Sequence, residues 1–181
     1  MGDKIYLDSN EMLRDSFTLA RLIYDSGFLP DVLVALWRGG TPIGIAIHEF
    51  LAFKGVKCYH TSLKVCSYTA IGERCEPSID NIKSITEIVD SETKVLIVDD
   101  IFDSGATVRA IREELVELTD NVRVATLYYR PEHNITDFTP EYYLKETDTW
   151  LVFPHELVDL TPDEIREKDP LIFSICGLEQ E

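Results

Sequence analysis

Two periods alternate along the hydrophobic positions of the chain. Leu13, Phe17, Ala20 and Tyr24 recur at helical spacing; Ser9 or Asn10 suits the helix start and Gly27 its end. A short apolar run follows, Val32-Leu33-Val34-Ala35-Leu36, bounded by Pro30 and by Gly39-Gly40, as in a strand buried on both faces. Thr41-Pro42 has the form of an N-cap and first helical residue, and IGIAIHEFLAF continues a helix to Gly55. The pattern predicts further strands near 56–63, at 94–98 and at 122–129, a helix from about 106 to 118, and a fifth strand at 142–145. The segment SYTAIGERCEPSIDNIKS, residues 67 to 84, is polar and without period, so it reads as a long loop or flap. Strands alternating with helices predict an α/β fold: a doubly wound parallel sheet flanked by helices on both faces.

Composition narrows the picture. A chain of 181 residues suits one domain, and 45% hydrophobic content suits a folded core. No apolar run approaches the roughly 18 residues of a membrane span, and MGDKIYLDSNEM has no apolar signal segment, so a cytoplasmic protein with no membrane partner is expected. The formal charge of −16 opposes broad nucleic-acid binding, but it leaves room for a small phosphorylated ligand where local donors outweigh the distant field. Cys58, Cys66, Cys75 and Cys176 show no C-x-x-C spacing and no His completing a zinc pattern, so they read as packing residues.

The chemistry concentrates in VLIVDDIFDSGATVRAI, residues 95 to 111. Ligands of such sheets bind beyond the carboxyl ends of the strands, which is where Asp99 and Asp100 fall. Ser104, Gly105, Ala106 and Thr107 then lead into a helix whose first N–H groups lack partners and whose dipole favours an anion. Gly105 permits close approach, and Ser104 and Thr107 add hydroxyls. Carboxylates repel phosphate, so Asp99, Asp100 and Asp103 call for sugar hydroxyls, Mg²⁺ or a base N–H. A bacterial receiver domain also ends a strand in paired acids, but near its start; only 81 residues follow Asp100 here.

With these residues in view, the chain resembles the type I phosphoribosyltransferases, in their purine (hypoxanthine and xanthine-guanine) branch. VLIVDDIFDSGAT resembles the family's signature for phosphoribosyl pyrophosphate (PRPP), ALWRGGTPIG its pyrophosphate loop, and Ser67-Tyr68 the pair in its mobile flap. LYYRP resembles an apolar strand ending in Lys-Pro, and DTWLVFP a small base-holding hood. The resemblance covers about 30–157. It implies a single domain over 1–181: a core at about 28–130, a flap at about 66–85, a hood at about 131–160 with the N-terminal helix, and a tail from 161.

The roles it implies follow the same segments. Asp99 and Asp100 would meet the ribose hydroxyls and Mg²⁺, through water, and Asp103 would exchange a proton with the base as catalytic acid/base. Ser104, Gly105, Ala106 and Thr107 would bind the 5′-phosphate, and Arg38, Gly39 and Gly40 the pyrophosphate. Ser67 and Tyr68 would close over the site. Arg130, Trp150, Leu151 and Val152 would hold the base. Arg130 stands where relatives have Lys; Val152 stands where xanthine-guanine enzymes have Glu, which tilts the expectation toward hypoxanthine, with guanine or xanthine next. Lys64 would add positive charge near the site. His48, His60, His133 and His155 show no catalytic spacing, with only His155 placed to line a pocket, and Glu156 reads first as a surface acid. The partners implied are PRPP, a purine base and further copies of the chain as homodimer or homotetramer. A transferase for a non-purine acceptor and a non-catalytic PRPP-binding regulator stay open.

Overall fold

A computed structural model describes residues 4–66, 69–70, 73–74 and 78–178. The elements in order are β1 (Lys4–Tyr6), α1 (Ser9–Asp25), β2 (Val32–Trp37), α2 (Gly40–Phe53), β3 (Tyr59–Cys66), β4 (Thr69–Ala70), β5 (Glu73–Arg74), β6 (Ser78–Asp80) and α3 (Lys83–Thr86). They continue with β7 (Val95–Phe102), α4 (Ala106–Leu115), β8 (Val122–Tyr129), a 3₁₀ turn (Pro131–His133), β9 (Tyr142–Glu146), β10 (Trp150–Val152), α5 (Pro162–Lys168) and α6 (Pro170–Ile175). The chain divides into a larger unit, Asn10–Asp148, and a smaller one that joins the residues up to Ser9 with those from Thr149 onward.

In the larger unit a six-stranded sheet has the order β6-β3-β2-β7-β8-β9. All neighbours are parallel except β6, which runs antiparallel to β3. The unbroken apolar runs of β2 and β7 follow from cover on both faces. On one face Val34, Ile97 and Val124 meet Val108, Ile111 and Leu115 of α4 and Ile85 of α3. On the other, α2 lies against Leu33 and Ala35 so closely that a Cβ on Gly44 would come within 2.7 Å of the Ala35 methyl. Helix α1 meets α2 edge to face at Tyr24 and Phe50, and Lys145 of β9 bonds Glu11 and Asp15 of α1 at 2.9 and 2.7 Å. Ile97 is fully buried, and truncating such a residue to Ala costs about 2–5 kcal/mol.

Four local features differ from the sequence expectation, each for a physical reason. Helix α2 starts at Gly40, because Gly39 already has helical angles; the Thr41 hydroxyl caps nothing and is buried without a partner. Strand β7 does not stop at Val98, since Asp99, Ile101 and Phe102 keep their register with Thr126, Tyr128 and Tyr129 of β8. Strand β3 is shifted to Tyr59–Cys66, because the Val56 N–H still closes the end of α2 on the Leu51 carbonyl. The polar 67–84 stretch contributes an edge strand, β6, and a short helix, α3.

In the smaller unit β1 pairs in parallel with β10, Lys4 opposite Trp150 and Tyr6 opposite Val152. Helix α5 opens on a capping box in which Thr161 and Glu164 satisfy each other's backbone N–H groups, with Pro162 in the first turn. The Asp169 carboxylate caps α6, where Phe173 is buried beneath the Arg166 guanidinium. Glu164 also pairs with Lys4, tying α5 to β1.

Candidate active site

Strands β2, β7 and β8 are neighbours, so the turns beyond their carboxyl ends share one rim: 38–40, 103–105 and the segment after Tyr129. Gly39 and Gly40 reach in beneath the acids. A Cβ on Gly39 would stand 2.0 Å from Asp100 Oδ2, and one on Gly40 would stand 2.1 Å from the Val98 carbonyl oxygen. Only glycine allows this approach. The Trp37–Arg38 peptide is cis, and Arg38 itself is exposed.

The two acids are held by local N–H donors. The Asp100 N–H donates to Asp99 Oδ1 at 3.0 Å, and the Ile101 N–H to Asp100 Oδ1 at 2.8 Å. Burial, reinforced by the neighbouring Asp100 charge, raises the Asp99 carboxyl well above the usual carboxylate range. Such a pair gains from any ligand that brings hydroxyl donors or a cation. Among the described residues no group of three or more His, Cys, Asp or Glu could hold a metal ion. Two adjacent carboxylates nonetheless fit Mg²⁺, which keeps several waters and shares substrate oxygens rather than filling an all-protein cage.

Beyond Asp103 the backbone turns through Gly105, at φ +76°, into α4. A Cβ there would strike the Phe102 ring at 2.6 Å and the Thr136 methyl at 2.7 Å. No side chain caps the α4 terminus; the nearest polar contact is Ala106 N–H to Ser104 Oγ at 3.3 Å. The first-turn amides and the half-buried hydroxyls of Ser104 and Thr107 therefore lie together at a helix N-terminus, where the helix dipole favours an anion. The segment after β8 backs it. The Ile135 N–H bonds the Ser104 carbonyl at 3.1 Å, and Arg109 reaches the Ile135 carbonyl at 2.9 Å.

Asp103 stands between these turns. Its Oδ1 lies 3.3 Å from an Arg130 guanidinium nitrogen and 2.9 Å from His133 Nδ1. Both are close contacts rather than aligned hydrogen bonds, and Oδ1 is sealed from solvent. Arg130 is 7% exposed and further bound to the Asp148 carbonyl at 3.1 Å. Histidine spacing carries no signal for His133. The signal lies in the register instead: Phe102 opposite Tyr129 sets Asp103 beside Arg130, and His133 is one short turn away.

The remaining candidates fall elsewhere. Ser67 and Tyr68 lie outside the described residues. Lys64 is exposed, 3.9 Å from Asp80. Trp150, Leu151 and Val152 belong to the smaller unit, where Trp150 is 58% exposed and the other two are buried. The Val152 carbonyl already accepts the Leu7 N–H at 3.0 Å. His155 is exposed and stacked on Phe153, and Glu156 accepts the Phe153 N–H at 2.9 Å, which makes it a turn-holding acid.

One rim of a mostly parallel sheet thus joins paired carboxylates, a glycine loop and the start of a helix. The chain belongs to the phosphoribosyl transferase domain family, whose model matches residues 3–159. Among curated relatives it is 35% identical over 131 residues to a xanthine-guanine phosphoribosyltransferase of Gluconobacter oxydans, covering 71% of this chain and 70% of that one. It is 29% identical over 151 residues to a hypoxanthine-guanine phosphoribosyltransferase of Lactococcus lactis, covering 77% and 74%. Among solved structures it is similar to a purine phosphoribosyltransferase of Pyrococcus horikoshii, with a TM-score of 0.70 at 28% identity over 88% of this chain and 97% of that one.

Proposed function

We propose that the protein transfers the 5-phosphoribosyl group of PRPP to a 6-oxopurine, hypoxanthine first and guanine or xanthine next, releasing pyrophosphate and the nucleoside monophosphate in purine salvage. The observation that carries this reading is the joint placement of Asp99-Asp100 against Gly39-Gly40 and the uncapped α4 terminus. One ligand bearing a phosphate, a diol and a second anionic group engages all three. The names of the relatives point to a purine acceptor.

Each residue then has a task. The amides from Ser104 to Thr107 and their hydroxyls hold the 5′-phosphate. Asp99 and Asp100 accept the ribose hydroxyls, and Arg38 with the Gly39 and Gly40 amides takes the pyrophosphate. Asp103 exchanges a proton with N7 of the base while N9 attacks C1 of the ribose. Arg130 donates to the exocyclic oxygen of the base, which favours 6-oxopurines over adenine. The exposed Trp150 ring offers a face to a planar ligand. Mg²⁺ at Asp99 and Asp100, when bound, offsets charge on the departing pyrophosphate.

A turnover assay with PRPP and Mg²⁺ against hypoxanthine, guanine, xanthine, adenine and uracil tests this reading. The expected order is hypoxanthine first, guanine and xanthine behind, with adenine and uracil inert. Turnover confined to uracil, or none with any base, would overturn it.

A further inference from the structure

The segment RPEHNITDF, residues 130 to 138, is held by several side-chain contacts of its own. The Asn134 side chain bonds the Tyr129 hydroxyl at 3.1 Å and the Phe138 carbonyl at 2.9 Å. Phe138 meets Phe102 edge to face, and Thr136 is bonded to both Asn134 and Phe138. The 3₁₀ turn that opens this segment carries His133, so its imidazole is presented to Asp103 from a rigid base.

The contacts of that ring fix its tautomer. Arg130 Nη2 lies 3.2 Å from His133 Nε2, and a guanidinium can only donate, so Nε2 accepts. The ring proton therefore sits on Nδ1, which faces Asp103 Oδ1 at 2.9 Å. Arg130 reaches the same Oδ1 from its other terminal nitrogen. Arg130 Nη1 and His133 Nδ1 thus both lie against one oxygen of the carboxylate, 3.3 and 2.9 Å away, and that oxygen is buried. The side chain as a whole is 45% exposed, so Oδ2 is the atom left facing outward.

The geometry points to His133 as a positioning residue for the phosphoribosyl transfer. It holds Asp103 Oδ1 inward so that Oδ2 meets the base, and it occupies one Arg130 nitrogen so that the guanidinium keeps its plane. The N7 proton moves to Oδ2, and His133 exchanges none. This inference rests on the transferase reading for its kinetic consequences, but the tautomer does not depend on turnover.

The test uses the full chain with three substitutions and one spectroscopic readout. Asn at 133 can place a donor where Nδ1 stands, whereas Gln places its amide nearer the Nε2 position. His133→Ala is expected to lower kcat roughly 10- to 100-fold with the KM for PRPP changed less than about threefold, the pattern of lost orientation. His133→Asn should recover most of kcat, and His133→Gln should not, with melting temperatures of all three near that of the wild type. Independently, imidazole ¹⁵N NMR of the wild type, assigned by the signal missing in His133→Asn, should show the Nδ1–H tautomer. An Nε2–H tautomer, an unimpaired His133→Ala, or equal recovery by Gln and Asn would overturn the proposal. Should the wild type turn over no 6-oxopurine, the transferase reading falls, and the tautomer alone then decides the role of His133.

Discussion

Gly39 approaches Asp100 so closely that a single added methyl would land 2.0 Å from Oδ2 of that carboxylate. The Gly39-Gly40 loop and the Asp99-Asp100 acids are thereby one packed unit. A side chain can swing away; a backbone cannot. At Gly40 the methyl would instead meet the Val98 carbonyl oxygen at 2.1 Å and the Asp99 Cα at 2.9 Å. Gly39→Ala is therefore expected to raise the KM for PRPP severalfold while melting stays near wild type. Gly40→Ala is expected to cost about 1–3 kcal/mol of stability as well. Thermal melts beside PRPP titrations separate the two; identical stabilities would contradict the difference.

Gly105 combines a left-handed φ of +76° with contacts that leave no room for a Cβ. Gly105→Ala should cost about 1–2 kcal/mol from the backbone alone, with more from the Phe102 and Thr136 clashes. Because it opens the turn proposed to hold the phosphate, affinity for a nucleoside monophosphate should fall in parallel, as measured by calorimetry.

The Lys4 ammonium, through a direct hydrogen bond, holds the Glu164 carboxyl down at about 2 from its usual 4.5. A carboxyl lowered in the folded state stabilises that state above its unfolded value, and the contribution is lost as pH falls from about 4.5 toward 2. Glu164→Gln keeps a capping-box side chain but removes the charge. The wild type should lose melting temperature more steeply than this variant over that acidic range, and parallel curves would contradict the pairing.

Asp103→Asn keeps the shape of the side chain and removes its base. Turnover should fall about 10²- to 10⁴-fold, while PRPP affinity changes little. An equal loss in both would argue against the proton-transfer role.

Much of this site is legible in sequence because its parts are contiguous. The apolar run of β7, the acids, the small residues and the α4 start all lie within 95–111, so local pattern suffices. The β1–β10 pairing is different: three-residue strands carry no period, and their partners are far apart in the chain. Thr41 looked like a cap because Thr-Pro commonly opens a helix; the need to fit Gly39 and Gly40 under the acids moved the start upstream. Spacing among the histidines does not single out His133, because its partner Asp103 arrives from the neighbouring strand through sheet register.

The most direct measurement is a crystal structure of the protein with a purine nucleoside monophosphate. The phosphate is expected on the amides of Ser104 to Thr107, the ribose hydroxyls on Asp99 and Asp100, and Asp103 Oδ2 beside N7 of the ring. A nucleotide lodged elsewhere, with the turn after β7 unengaged, would contradict it.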